Sequence, residues 1–335
     1  MRIIEGVNID SVSWADLVKR SPVATWFQTR EAFEFFESLS FMEAFAVAVE
    51  SVGTLKGVIV GYIQKDGGKL KQFFSRRAIV IGGPLLADDV ADEDLKALLR
   101  ALKDKLKRKA IFIETRNFND YSRWKEVFEE SGFKYEPHLN FHVNTESKEI
   151  AQANIGKHRW RYIRVSLRDG AKLVETPTME QIEKFYGILV ELYKTKVKTP
   201  LFPIEFFEKL FEHDSAKFFL VEYEGEIVGG SVCTFLEGRS LYEWMKCGNE
   251  HFHKNIRPSS LATWLGIQYA AENGYPRYDF MGAGKPNEAY GVRDFKAEFG
   301  GKLVEHGRYV CVCTPLLYFA GKQYVFAKKH WGAKH

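Results

Sequence analysis

The sequence predicts an α/β protein made of two tandem domains that share one mixed-sheet plan. The first observation is length: 335 residues exceed one ordinary core and suit two domains of roughly 150–170 residues each. The second is composition, with 45% apolar and 27% charged residues, as in globular proteins. The third is an internal repeat of the secondary-structure pattern at an offset of about 170 residues.

Each half contains a strand hairpin and then a third strand. Alternating apolar and polar residues predict the strands, and Glu224-Gly225 provides a tight turn in the second half. The predicted strands are residues 43–50, 56–64 and 77–81 in the first half and 217–223, 226–236 and 240–245 in the second.

Matching elements continue in the same order. A leucine-rich or aromatic stripe at helical spacing predicts one helix after each third strand, followed by a strand that ends near an acidic residue. The pairs are helices 30–39 and 179–194 at the start of each half, helices 92–107 and 259–272, strands 110–114 and 277–280, and terminal hairpins 132–143 and 301–312. This order is that of a GNAT-type α/β domain, so we expect two such domains related by internal duplication.

The domain boundary is predicted in the polar, non-periodic stretch 144–148. Residues 1–145 would form the first domain and residues 146–315 the second. The helical tail, residues 316–335, is expected to join the first domain.

Several protein classes are excluded. No run of 18 apolar residues exists, and the acidic N-terminus lacks the apolar stretch of a secretory signal. We therefore expect a cytoplasmic protein. Its net charge of +4 permits an anionic partner without requiring one. The cysteines, Cys233, Cys247, Cys311 and Cys313, lie in apolar strand-like stretches and are predicted to be buried structural thiols.

Several motifs resemble the Fem-type (FemABX) peptidyltransferases. Residues 278–284 and 290–301 are similar to the second domain of that family, most specifically in the element from Phe295-Lys296 to Phe299-Gly300. Arg161 and Arg164 lie where the family has a basic R-x-x-R helix. Residues 25–29 (TWFQT) and 81–84 (IGGP) match the first-domain pattern, so the resemblance covers essentially the whole chain.

This resemblance implies a cytosolic enzyme that moves an aminoacyl group from aminoacyl-tRNA to an amine of a peptidoglycan precursor. Members of the wider superfamily act on lipids or polysaccharides, so the implied acceptor is a peptidoglycan precursor or a lipid-linked molecule. We expect no stable nucleic-acid complex and at most a transient association with a membrane surface. The sequence has no heptad insertion, which implies a member without the family's coiled-coil arm.

The residues themselves argue against a tight coenzyme A site. GNAT acetyltransferases bind the coenzyme A diphosphate on backbone N–H groups of a glycine-rich turn at a helix N-terminus. The corresponding turn, residues 248–260, has no paired glycines, and Pro258 removes one donor. In the first half the turn is Gly82-Gly83-Pro84. Aminoacyl-tRNA is therefore the expected donor substrate, with no cofactor, and acyl-CoA is less favoured.

Lys296 and Asp279 are the predicted catalytic residues. Lys296 follows a glycine-rich loop, and the resemblance gives it the role of the family lysine that supports the donor phosphate. A fixed cation there would also counter negative charge that develops in the reaction. The alternative is a lysine that only solvates a helix. Asp279 ends a central strand and either orients the amine or holds the following loop through backbone N–H groups.

The predicted substrate-binding residues fall into three groups. Glu114, Arg116 and Asn117 end a first-domain strand, where the family binds its acceptor. Arg161 and Arg164 are one helical turn apart and could both reach a diphosphate, unless they form only a solvated face. The remaining residues are Tyr242 and Trp244, which alternate on one strand and could equally be core, and Tyr290 and Arg293 of the family motif.

We interpret the chain as an aminoacyltransferase whose acceptor lies in a cleft between the domains. One alternative is an N-acyltransferase that uses acyl-CoA or an acyl carrier protein on a lipid or polysaccharide amine. Another is a non-catalytic module that binds an anionic ligand. His251 and His253 have no ligand partners nearby in sequence, so no metal is expected. The Gly282-Ala-Gly284 motif is not followed by a helix, which excludes a dinucleotide fingerprint.

Overall fold

A computed structural model describes residues 1–64, 76–197 and 199–331. The chain divides into two compact units, the first formed by Met1–Pro137 with His306–His335 and the second by His138–Glu305. Within the described residues, no helix has the length and apolar character needed to cross a membrane.

The first unit is built on an eight-stranded mixed sheet. Its strands follow the order β1-β2-β3-β4-β6-β15-β7, with β5 paired to β3, and β4 and β6 are parallel. The strands are β1 Arg2–Glu5, β2 Met42–Ser51, β3 Thr54–Gln64, β4 Arg77–Gly82, β5 Leu85–Leu86, β6 Phe112–Asn117, β7 Lys134–Glu136 and β15 Arg308–Val312.

Helices pack on this sheet through apolar residues at helical spacing, as in the helix Asp92–Leu106, where Leu95, Leu98 and Leu102 are buried. The helices are α1 Ser11–Arg20, α2 Arg30–Ser38, α3 Asp92–Leu106, α4 Lys125–Glu130 and α11 Pro315–Trp331. The side chain of Thr29 accepts a hydrogen bond from the Ala32 N–H and caps the start of α2. Tyr318 of α11 packs edge-on against Phe112, with ring centroids 5.3 Å apart. The C-terminal helix therefore belongs to the first unit.

The second unit is built on a seven-stranded mixed sheet of the same plan. Its order is β14-β8-β13-β12-β11-β10-β9, and β12 and β13 are parallel. The strands are β8 Leu139–Asn144, β9 Lys172–Leu173, β10 Ala216–Tyr223, β11 Glu226–Leu236, β12 Ser240–Gly248, β13 Arg277–Asp279 and β14 Lys302–Glu305. The helices are α5 Lys148–Asn154, α6 Lys157–Arg168, α7 Met179–Leu192, α8 Ile204–Phe211, α9 Pro258–Glu272 and α10 Gly291–Ala297.

The predicted fold class, two mixed α/β domains related by duplication, is confirmed. Each sheet contains a hairpin, β2–β3 or β10–β11, and one parallel pair, β4–β6 or β12–β13. The chain must cross from one parallel strand to the next through a helix, α3 or α9, as such pairs require.

The terminal strands differ from the prediction, because neither expected terminal hairpin forms. Strand β8 pairs with β13 and β14 in the second unit, whereas β15 pairs with β6 and β7 in the first. The units therefore change at Pro137 and His306, not at the predicted residues 145 and 315. Alternating residues specify that a strand forms but not which sheet it joins, so the pattern could not show this exchange.

Candidate active site

The second unit has a strained loop at the end of β13, where its parallel partner β12 continues past it. The loop runs through Met281 and Gly282 to Gly284, with φ angles of 57°, 136° and 77° respectively. A positive φ at a residue with a side chain, here Met281, is sparsely populated and persists only where surrounding contacts enforce it. These contacts come from three directions.

The side chain of Asn140, on β8, is hydrogen-bonded both to Asp279 and to the loop backbone. Its side-chain Nδ2 donates to Asp279 Oδ1 at 2.7 Å, and its Oδ1 accepts from the Gly282 N–H at 2.7 Å. Asp279 Oδ1 also accepts from the Met281 N–H at 2.7 Å. Asn140 thus fixes both the carboxylate and the loop backbone. Sequence reasoning missed Asn140 because β8 was assigned to the other domain.

Asp279 is completely buried, and its Oδ2 lies 3.1 Å from Nε2 of His142. Burial alone would raise the pKa of Asp279, but the neighbouring His142 and Arg277 and the hydrogen bond from Asn140 outweigh it and hold the pKa below its usual range. Of the two roles considered for Asp279, the geometry matches the one that holds the loop. The buried carboxylate has no solvent-facing surface, so it would position the loop and not touch a substrate.

The ammonium group of Lys296, on α10, is hydrogen-bonded to the carbonyl oxygens of the same loop. Its Nζ donates to the carbonyl oxygens of Phe280 at 2.9 Å and Gly282 at 2.6 Å. Burial lowers the pKa of this ammonium to about 8, although Glu243 partly opposes the shift. An ammonium has three N–H donors, and within the described residues two of them have acceptors. The third can serve a ligand, so Lys296 is not a lysine that only solvates a helix.

A buried acid lies close to Lys296. Glu243 Oε1 accepts from the Thr263 hydroxyl at 2.7 Å and the Tyr278 hydroxyl at 2.8 Å. Glu243 sits at a β-bulge, where the register between β11 and β12 shifts by one residue. Such bulges redirect side chains and are frequent beside active sites. Lys246 lies 3.9 Å from Glu243, and burial lowers the pKa of its ammonium.

The N-terminus of α9 is already occupied by the chain itself. Pro258 is its first residue and has no N–H, and the next N–H, from Ser259, donates to Glu250 Oε1 at 3.1 Å. The Ser260 hydroxyl accepts from Arg159 Nη1. A carboxylate at this position is stabilised by the helix dipole and competes with a phosphate for the same donors. Glu250 therefore occupies an N–H group that a diphosphate at this helix N-terminus would use.

The other predicted residues of the second unit differ in burial and in whether they contact the loop. Arg293 donates from Nε to the Ala283 carbonyl at 2.8 Å and from Nη2 to the Lys285 carbonyl, so it fastens the loop. Tyr290 is 43% exposed at the start of α10. Tyr242 is fully buried, and Trp244 packs edge-on against Phe206 at 4.8 Å. Tyr242 therefore belongs to the core, whereas Arg293, Tyr290 and Trp244 retain exposed surface.

Arg161 and Arg164 are exposed on α6, on the same face, as their spacing predicts. No ion pair to either guanidinium occurs within the described part of the chain. Arg257 extends this basic face, with its guanidinium 5.6 Å from the ring centre of Tyr162. Together they form an electropositive surface on the second unit.

The first unit contains a separate charged cluster. Glu114 Oε1 accepts from Arg116 Nε at 2.6 Å and from Arg308 Nη1 at 3.0 Å. Arg116 and Arg308 are direct neighbours across β6 and β15. Burial and the adjacent Arg116 lower the pKa of Arg308 to about 10. Asn117 does not join this cluster, because adjacent strand residues face opposite ways; its amide donates to the His306 carbonyl at 3.1 Å.

The predicted first-half turn, Gly82-Gly83-Pro84, is held by a buried polar network. Gln28 Nε2 donates to the carbonyls of Gly82 at 3.1 Å and Gly83 at 2.8 Å. The Tyr121 hydroxyl lies 2.7 Å from the Pro84 carbonyl. Both glycines have φ near +80°, which only glycine adopts readily. The carbonyl oxygens of this turn are thus hydrogen-bonded to the side chains of Gln28 and Tyr121.

The described cysteine and histidine side chains do not cluster as metal ligands do. All four cysteines are free thiols, with Cys313 less buried than the others, and burial raises the pKa of Cys233 and Cys247. A hydrogen bond from Cys313 instead lowers the pKa of Cys311 to about 7. No group of three His, Cys, Asp or Glu side chains suited to a metal occurs in the described ranges.

Comparison with known proteins bears on the fold of both units. Residues 157–296 match the family model of the acetyltransferase (GNAT) domain. The crystal structure of FemX superposes with a TM-score of 0.72 at 17% identity, covering 96% of this chain and 99% of FemX. L-PGS from Bacillus licheniformis gives a TM-score of 0.55 at 15% identity, covering 93% and 96%. A tandem GNAT protein from the clavulanic acid pathway gives 0.58 at 11% identity, covering 93% and 98%.

None of the curated protein sequences matches the chain significantly. The family match makes the second unit a GNAT-type acyltransferase domain, and the shared fold confirms the tandem architecture expected from the Fem-type resemblance. The protein is thus an N-acyltransferase.

Proposed function

We propose that this N-acyltransferase moves an aminoacyl group from aminoacyl-tRNA to an amine of a peptidoglycan precursor or a related cell-envelope acceptor. The observation that carries the proposal is the N-terminus of α9, where Pro258 removes one donor and Glu250 occupies the next. A carboxylate in this position repels the coenzyme A diphosphate. An acyl donor held elsewhere, through an RNA backbone, does not need these donors.

The basic surface of α6 is the proposed contact for that donor. Arg161, Arg164 and Arg257 present guanidinium groups on one unit, and guanidinium pairs well with phosphate oxygens. Exposed cations without ion-pair partners bind phosphodiesters by releasing counterions, so binding should weaken steeply with salt. The solved FemX fold, shared along almost the whole chain, supports this choice of donor.

Lys296 is the proposed catalytic cation. The acceptor amine attacks the ester carbonyl; a nitrogen–carbon bond forms and the bond from carbon to the ribose oxygen breaks. The amine loses one proton and the leaving oxygen gains one. With a pKa of about 8, Lys296 is mostly protonated at neutral pH and can donate to that oxygen, since acid catalysis is most efficient near the operating pH.

The Glu114 cluster is the proposed contact for an anionic group of the acceptor. Two carboxylates, of Glu114 and Glu136, lie among three guanidinium groups, those of Arg77, Arg116 and Arg308. Like charges directly opposite on adjacent strands are destabilising, so an additional anion would be stabilised there. A diphosphate or carboxylate of a cell-wall or lipid-linked acceptor has the required chemistry.

The test is a transfer assay with charged tRNA and a panel of amine acceptors, read by the mass of the acylated product. We expect transfer by the wild type and a loss of about 10²–10³-fold in Lys296→Met, typical of removing one group that stabilises charge in a transition state. Lys302→Met, an exposed lysine on β14, is the matched control. Transfer from acyl-CoA without tRNA would replace the proposed donor, and equal rates in Lys296→Met would contradict the proposed role of this lysine.

A further inference from the structure

A cavity of about 540 Å³ lies in the second unit, formed by one side of α7, the start of β11 and the segment after β12. Ligand sites commonly have volumes of about 300–1,000 Å³ and combine apolar walls with a few polar groups. This cavity has that composition: its walls include Ile188, Leu192 and Ile227, and charged side chains surround them. Glu250 is the lining residue already described, as the acceptor of the Ser259 N–H at the start of α9.

Gly187 keeps the helix wall of the cavity open. It lies in the interior of α7, where glycine costs about 1 kcal/mol relative to alanine. Nothing lies within 4 Å of the position that a Cβ would occupy, so close packing does not explain the glycine. The missing side chain enlarges the cavity instead.

A π-helical turn at the end of the same helix also lines the cavity. After Leu192 the chain continues as a π-helical turn, Tyr193–Val197, and this turn places Thr195 and Lys196 on the wall. π-Helical turns are rare and are frequent at functional sites. A glycine inside the helix and a π-helical turn at its end therefore both line one cavity.

The charges around the cavity favour a cation. Carboxylates come from three elements, as Glu191 of α7, Glu226 of β11 and Glu250 after β12. The ammonium of Lys184 is already paired with Glu180 at 3.1 Å. Lys184 also lies near Glu226, and Glu250 accepts from the Ser259 N–H, whereas no ion pair to Glu191 occurs among the described residues. An apolar wall beside excess negative charge matches an alkyl chain that ends in an ammonium group.

We propose that this cavity binds a ligand with a primary ammonium group on a short alkyl chain. The alkyl part would lie against Ile188 and Leu192, and the ammonium would bind Glu191 or Glu226. This binding can be tested apart from the proposed transfer reaction, because Glu191, Ile188 and Leu192 have no part in that reaction and binding can be measured without either substrate.

Isothermal titration calorimetry of the full chain with 1,5-diaminopentane tests the proposal, with pentanoate as the probe of opposite charge. We expect saturable binding of the diamine and none of pentanoate. Gly187→Leu should weaken binding at least tenfold by filling the cavity, whereas Gly187→Ala should change it by less than about threefold. Both variants should unfold at a temperature no lower than the wild type, because leucine and alanine favour helix over glycine.

Charge is tested separately. Glu191→Gln should weaken diamine binding about tenfold, as expected for a hydrogen bond to a charged group, while Glu183→Gln, exposed on the same helix and outside the cavity, should leave it unchanged. Absence of saturable binding to the wild type, equal binding of pentanoate, or wild-type affinity in Gly187→Leu would each overturn the proposal.

Discussion

The buried ammonium of Lys296 predicts a specific dependence of stability on pH. Its pKa is lowered from 10.5 to about 8 in the folded protein, chiefly by burial. Between these pH values the unfolded chain holds a proton that the folded protein has released. The free energy of unfolding therefore rises with pH across this interval, and below pH 8 both states are protonated and the contribution is constant.

The size of the effect follows from the two pKa values. Each pKa unit corresponds to about 1.4 kcal/mol, so the interval from about 8 to 10.5 gives a rise of up to about 3 kcal/mol. Lys296→Met removes this proton equilibrium. The wild type should thus gain stability relative to the variant as pH rises from 8 to 10.5, because the variant keeps no burial cost that deprotonation could relieve.

Urea unfolding followed by tryptophan fluorescence at several pH values from 7 to 10.5 measures this difference directly. Subtracting the Lys296→Met free energy from that of the wild type cancels the other titrating groups. Lys302→Met controls for the loss of one positive charge. A difference that stays flat over this interval would refute the reasoning, because it would mean that Lys296 is solvated as well in the folded protein as in the unfolded chain.

Three further substitutions test other parts of the structure by the same unfolding measurement. Asn140→Ala should cost about 2–4 kcal/mol, since it leaves Asp279 and the Gly282 N–H without their partner; wild-type stability would contradict its supporting role. Gln28→Leu should cost about 3 kcal/mol, because the Gly83 carbonyl loses its donor and the Thr25 N–H loses its acceptor; a loss below about 1 kcal/mol would indicate that water replaces them. Gly300→Ala should cost more than Gly274→Ala, since both have positive φ but only at Gly300 would a Cβ overlap the Asn154 backbone; equal losses would argue against that overlap.

The duplicated fold could be predicted because its signals are local. The turn Glu224-Gly225 and the alternation on each side of it specify the hairpin of β10 and β11, and the structure has the strand bounds that the pattern gives, Glu226–Leu236 for β11. Pro258 and the absence of paired glycines before α9 are likewise local features, and Pro258 is the first residue of that helix. These features involve residues close together in sequence.

The parts that could not be predicted depend on distant residues. Asn140 and Asp279 are separated by 139 positions, and Arg308 reaches Glu114 across 194. Both contacts exist because β8 and β15 join sheets that their sequence positions do not suggest. A polar pair on one strand face, Asn140 and His142, was the available signal, since polar residues within a buried strand require partners.

The placement of β15 also affects the order in which the protein can fold during synthesis. The first unit needs Arg308–Val312 between β6 and β7, so its sheet stays incomplete while the whole second unit is translated. At about 5–20 residues per second, that delay is on the order of 10–30 s. During this time the exposed edge of β6 is open to other strands, which makes the nascent chain a natural client for ribosome-associated chaperones.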